Sequence, residues 1–109
     1  MPAGAWTYLF IAGLLEVGWA IGLKFTEGFT RPAASLLTVG AMVGSFWLLA
    51  LALKAIPVGT GYAVWTGIGT VGTALAGMMF LGEPRDAMRL FCIGLVVAGI
   101  AGLRLVSPE

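Results

Sequence analysis

Charged positions are rare along the chain, and they cluster. Residues 1–15, 17–23, 32–53, 55–82 and 90–103 contain no charged side chain. A helix needs roughly 20 mainly apolar residues to cross the hydrocarbon core of a bilayer. The pattern therefore predicts four spanning helices, at about residues 5–23, 33–53, 58–81 and 87–105. The fourth span has an uninterrupted run of only 14 residues, 90–103. Arg89 and Arg104 bracket it, and long basic side chains snorkel to the interface while their stems stay in lipid. The first segment lacks a basic start and carries Glu16 where a signal peptide would be wholly apolar, so it reads as a span.

The connections are short. Lys24–Arg31 (KFTEGFTR) joins the first two helices, with Gly28 as a turn residue. Lys54–Pro57 (KAIP) joins the second and third, and Gly82–Asp86 (GEPRD) the third and fourth, with Pro84 as a helix breaker. No loop can hold a catalytic domain, and no internal repeat is evident. The expectation is an all-α integral membrane protein with one four-helix domain over residues 1–109 and no enzymatic activity. Its function must lie within or between helices.

Composition agrees. Of 109 residues, 60% are hydrophobic and 10% charged, and mean hydropathy is +1.02. Soluble domains carry about 25% charged residues, so this chain cannot furnish a polar surface. A net charge of +1 points to neither nucleic acid nor an acidic partner. Histidine is absent and Cys92 is the single cysteine. That excludes a disulfide framework and argues against a metal site, and no cofactor is expected. Cys92 is expected to pack as a small apolar residue in the fourth helix. Basic residues near the connections divide as Lys24, Arg31, Arg85 and Arg89 on one side against Lys54 and Arg104 on the other. This weak bias leaves orientation poorly specified.

Candidate chemistry centres on LLEVGWAIGLK, Leu14–Lys24. Glu16 lies about 12–15 Å from either end of its span, near the midplane. A charge there costs roughly 2.5–3.5 kcal/mol on insertion scales. A neutral amide or hydroxyl would serve as structural glue at lower cost, so a proton- or cation-binding role is the better reading. Ala12, Gly13, Trp19 and Ala20 share its face. The small residues leave room around the carboxylate, and Trp19 adds an aromatic wall with one N–H donor. In the third helix Tyr62 and Trp65 share a face, although Tyr62 is also placed for an interfacial belt. Thr38 and Ser45 share a stripe of the second helix. For Ser45, a bond back to its own helix competes with a site role.

GIGTVG, Gly67–Gly72, formally matches a dinucleotide fingerprint, but it lies inside an apolar span rather than between a strand and a helix. Close helix packing or a kink explains its glycines better. Gly94, Gly99 and Gly102 suggest a packing face on the fourth helix. Four helices barely enclose a cavity, whereas two copies would bring two Glu16 side chains into one chamber. A cation and protons would then compete for the same groups.

These residues resemble the small multidrug resistance family of four-helix proton-coupled exporters. EVGWAIGLK (Glu16–Lys24) is similar to the guanidinium-exporter branch, because the multidrug branch usually has glycine where Trp19 stands. EGFTR (Glu27–Arg31), SFWLL (Ser45–Leu49) and the P-x-G-x-x-Y-A-x-W-x-G-x-G pattern of Pro57–Gly69 are shared by both branches. Gly61 departs from the alanine that commonly precedes the tyrosine.

The resemblance implies an antiparallel, dual-topology homodimer in the bacterial cytoplasmic membrane. It also implies exchange of guanidinium or a small guanidinyl cation for protons at Glu16. Trp19, Ser45, Tyr62 and Trp65 would line the site, and Gly13 would support packing of the first helix. Gly67 and Gly69 would let the third helix flex, and Gly94 and Gly99 would pack across the dimer. Three other readings stay open: export of quaternary ammonium cations, one half of a heterodimeric pair, and a non-transporting assembly subunit.

Overall fold

A computed structural model describes residues 2–106, with side chains from Gly4 onward. It has four helices: α1 Pro2–Thr26, α2 Pro32–Ala52, α3 Val58–Phe80 and α4 Ala87–Val106. All four are long and apolar enough to cross a membrane. The expected spans fall on them, with differences at the ends. α1 runs past residue 23 because Lys24 and Phe25 continue its backbone hydrogen bonding beyond the apolar run. It stops at Thr26, whose buried hydroxyl donates to the Leu23 carbonyl at 2.8 Å and accepts from Phe29 N–H at 3.2 Å. The chain then reverses through Glu27, Gly28 and Phe29, all with positive φ (49°, 73° and 65°). Gly28 takes the left-handed conformation without a Cβ penalty.

The other ends have equally local causes. α2 starts at Pro32, which needs no N–H partner in a first turn. α3 ends before Gly82, also at positive φ (71°), and Pro84 keeps the following segment out of a helix. Asp86 opens α4 by accepting from Arg89 N–H at 3.3 Å.

The helices form a row rather than a closed bundle. α1 lies between α2 and α3, α4 packs mainly on α3, and the backbones of α2 and α3 approach at few places. The whole measures 43 × 35 × 17 Å. The main core gathers at one end. Ala5, Leu9 and Ala12 form a stripe on α1 against Leu49, Ala52 and Ile56 from α2 and its connection, and Val64 and Trp65 from α3. At that end Arg104 of α4 stacks over the Trp6 ring, 4.7 Å from its centroid. Toward the other end the α1–α3 seam opens, and there the candidate site lies. α4 has no buried residue among those described. Cys92 is accordingly exposed rather than packed as expected, because α4 lies at the edge of the row with its backbone against α3.

Candidate functional site

Glu16 is the only acidic residue within the described helices. It projects from α1 toward α3, where glycine permits the approach. A Cβ added at Gly69 would fall on the Glu16 carboxyl group. One turn earlier, Gly13 is buried against Ile68, 2.6 Å from where its Cβ would stand. These two contacts seat α1 on α3 closely enough for a side chain at residue 16 to reach the seam. Glu16 Oε1 is buried and has no hydrogen-bond partner.

The carboxylate forms one wall of an open cleft of ≈ 370 Å³, lined also by Ala20, Gly69, Thr70, Thr73, Ala74, Glu83 and Arg89. Thr73 Oγ1 is a second buried, unpartnered polar atom there. At the far end Arg89 Nη2 donates to Glu83 Oε1 at 3.0 Å. The cleft thus carries an unpaired acid and hydroxyls on a mostly apolar wall, a composition suited to a small cation that brings its own N–H donors.

Beside the cleft lies an aromatic chain. Trp19 meets Phe46 with ring centroids 6.0 Å apart, Phe46 meets Trp65 at 5.6 Å, and Trp65 meets Tyr62 at 5.5 Å. Trp65 is fixed by its indole N–H, which donates to Ser45 Oγ at 3.0 Å. Ser45 in turn donates across to the Ala12 carbonyl of α1 at 2.7 Å, not back into α2. The small Ala12 lets α2 come near enough for an interhelical bond to replace the local one. One buried oxygen therefore ties α1, α2 and α3 together.

The profile of the small multidrug resistance proteins matches residues 4–96. The chain belongs to this family. The guanidinium exporter of Yersinia pseudotuberculosis serotype I is 56% identical over 103 residues, which span 94% of this chain and 99% of the relative. The guanidinium exporters of Citrobacter freundii and Salmonella typhimurium are 56% identical over 101 residues, 93% of this chain and 96% of each relative. Membership makes this a multi-pass membrane transporter rather than an enzyme.

Against that family, the residues singled out from sequence fall into three groups. Glu16, Gly13 and Gly69 meet at the α1–α3 seam. Trp19, Ser45, Tyr62 and Trp65 are linked to one another or through Phe46, but none of the four lines the Glu16 cleft. The carboxylate instead lies against α3 at Gly69, where the missing Cβ leaves it room. Trp19 keeps its indole Nε1 buried and unpartnered, and Tyr62 is exposed. Gly67 is a contact point, its absent Cβ standing 2.7 Å from Ile100 Cδ1 of α4. Gly94 and Gly99 face open space on α4.

Sequence reasoning missed Phe46, Thr70, Thr73, Glu83 and Arg89. Thr66, Thr70 and Thr73 do form a stripe at four- and three-residue spacing, and that spacing was the available signal for a polar face on α3.

Proposed function

We propose that this chain exports guanidinium or a small guanidinyl cation in exchange for protons, working as an antiparallel homodimer in the bacterial cytoplasmic membrane. The observation that carries the reading is Glu16: a lone acid inside a span, its Oε1 buried without a partner, at the wall of an open cleft. The names of the 56%-identical relatives support the choice of substrate.

Guanidinium is planar, permanently charged and able to place two N–H groups on one carboxylate. It cannot shed its proton and cross lipid neutral, so it needs a carrier with a fixed anion. At Glu16 the cation and a proton are alternatives, and binding one releases the other. Exchange follows if the cleft opens to one side of the membrane at a time. Flexing of α3 about Gly67 and Gly69 accompanies that switch, because these positions hold α3 against α4 and α1. Each proton returning inward supplies about 1.4 kcal/mol per pH unit, and each net charge moved about 2.3 kcal/mol per 100 mV. The exposed face of α4, with Gly94 and Gly99 open, supplies the contact between copies.

The test is proton release from purified protein when guanidinium is added, compared with tetra-alkylammonium. Guanidinium is expected to release protons from wild type. Glu16→Gln should fold, release none and transport none, because the amide neither exchanges a proton nor offers negative charge. Retained exchange in that variant refutes the mechanism.

A further inference from the structure

The cleft that holds Glu16 contains a second carboxylate for which the exchange scheme has no use. Glu83 follows the end of α3 and Arg89 lies near the start of α4, and both line the cleft. Arg89 engages Glu83 through Nη2 at 3.0 Å, while its Nε is buried without a partner. A guanidinium can give a carboxylate two parallel N–H bonds, so Arg89 holds Glu83 by less than a full fork. The two side chains are 36% and 43% exposed, and an ion pair so open to its surroundings is weakly held.

The two carboxylates lie along one helix. A Cβ at Gly69 would fall on Glu16, and a Cβ at Gly77 would fall on Glu83. At the helical rise those contact points are about 12 Å apart. Thr70 and Thr73 line the cleft between them, Thr73 with its hydroxyl buried and unpartnered.

We propose that Glu83 is a mouth-side binding station for guanidinyl cations, occupied at rest by the Arg89 guanidinium and leading past Thr70 and Thr73 to Glu16. The proposal rests on the export of guanidinyl cations proposed above. The Arg89 head group is the same chemical group as that substrate. An arriving guanidinium therefore displaces it like for like, charge for charge and N–H for N–H. A cation with no N–H group cannot replace the bond that Arg89 gives up. Stations about 12 Å apart are too distant for one guanidinium to touch both, so transfer is stepwise. The threonine hydroxyls accept its N–H groups on the way.

The experiment is guanidinium exchange by the full-length protein in liposomes, driven by a proton gradient, over a series of substrate concentrations. Glu83→Gln should raise the half-saturating concentration about two- to fivefold, with a smaller change in maximal rate. Glu83→Asp should restore much of the difference. Arg89→Gln should move half-saturation the opposite way, because it removes the station's resident competitor. A pair that merely staples α3 to α4 would shift both variants in the same direction, and that result overturns the proposal. Unchanged half-saturation in Glu83→Gln overturns it as well. If Glu83→Gln does not fold, Arg89→Gln decides alone: a lowered value supports the station, and a raised or unchanged one overturns it. Failure of wild type to exchange guanidinium defeats the export reading and the station together. Wild-type exchange with an unmoved Glu83→Gln defeats only the station.

Discussion

Replacing Ser45 by alanine removes a single atom and tests how the helices are tied together. Ser45 Oγ donates to the Ala12 carbonyl at 2.7 Å and accepts from Trp65 Nε1 at 3.0 Å, and Ser45 is completely buried. The two bonds are not equivalent. The Ala12 carbonyl lies in mid-helix and keeps its intrahelical partner, so it loses only a second bond. The Trp65 indole loses its one acceptor in a place that water cannot reach. Interhelical side-chain bonds in membrane proteins average about 0.6 kcal/mol and reach about 1.7. A buried donor left unsatisfied costs about 1–3 kcal/mol.

Taking about 0.6 kcal/mol for Ala12 and about 1–2.5 kcal/mol for Trp65, the loss comes to about 1.5–3 kcal/mol. That is a roughly ten- to hundredfold change in the folded-to-unfolded ratio. Unfolding in mixed micelles by titration with a denaturing detergent measures it. Ser35→Ala is the matched control, because Ser35 Oγ on the same helix is buried with no partner. Its removal should be neutral or slightly stabilising. If the two variants unfold together, the Ser45 oxygen is not a tie and the reasoning is wrong.

Two other expectations follow from the proposed site. Trp19 stands outside the Glu16 cleft of its own chain, so its part in selectivity rests on the chamber that the proposed dimer would enclose: Trp19→Gly should weaken guanidinium exchange and relax the exclusion of tetra-alkylammonium, read as transport currents for both cations. Charge-assisted bonds of roughly 1.5–3 kcal/mol each, which a quaternary cation cannot make, give wild type at least about tenfold discrimination to lose; an unchanged preference in the variant removes Trp19 from selectivity. Single cysteines placed in each connection, in a Cys92→Ser background, should label from both sides of the membrane, and labelling from one side only rules out an antiparallel homodimer.

What was legible in the sequence and what was not divides along a physical line. The spans could be read because lipid excludes charge, so uncharged runs must match the bilayer. Helix ends could not, because a helix ends where its hydrogen bonds are capped. Thr26 caps α1 beyond the charge at Lys24 that marked the expected limit. Glu16 was visible as the only acid in a span, and the residues sharing its face on α1 follow from helical spacing. What stands opposite it does not follow, since only the approach of α3 at Gly69 decides that. Glu83 and Arg89 read as flanking charges until the turn between α3 and α4 brings them back over the cleft.

The arrangement also bears on the assembly. The helices stand in a row with α1 between α2 and α3, and the Glu16 cleft is open. In the proposed homodimer a second copy would close it. Its mouth, Glu83 and Arg89, lies at the same end of the row as Lys24 and Arg31, because α1 and α3 run the same way. In the proposed antiparallel pair the two mouths would then open to opposite sides of the membrane, one station serving each.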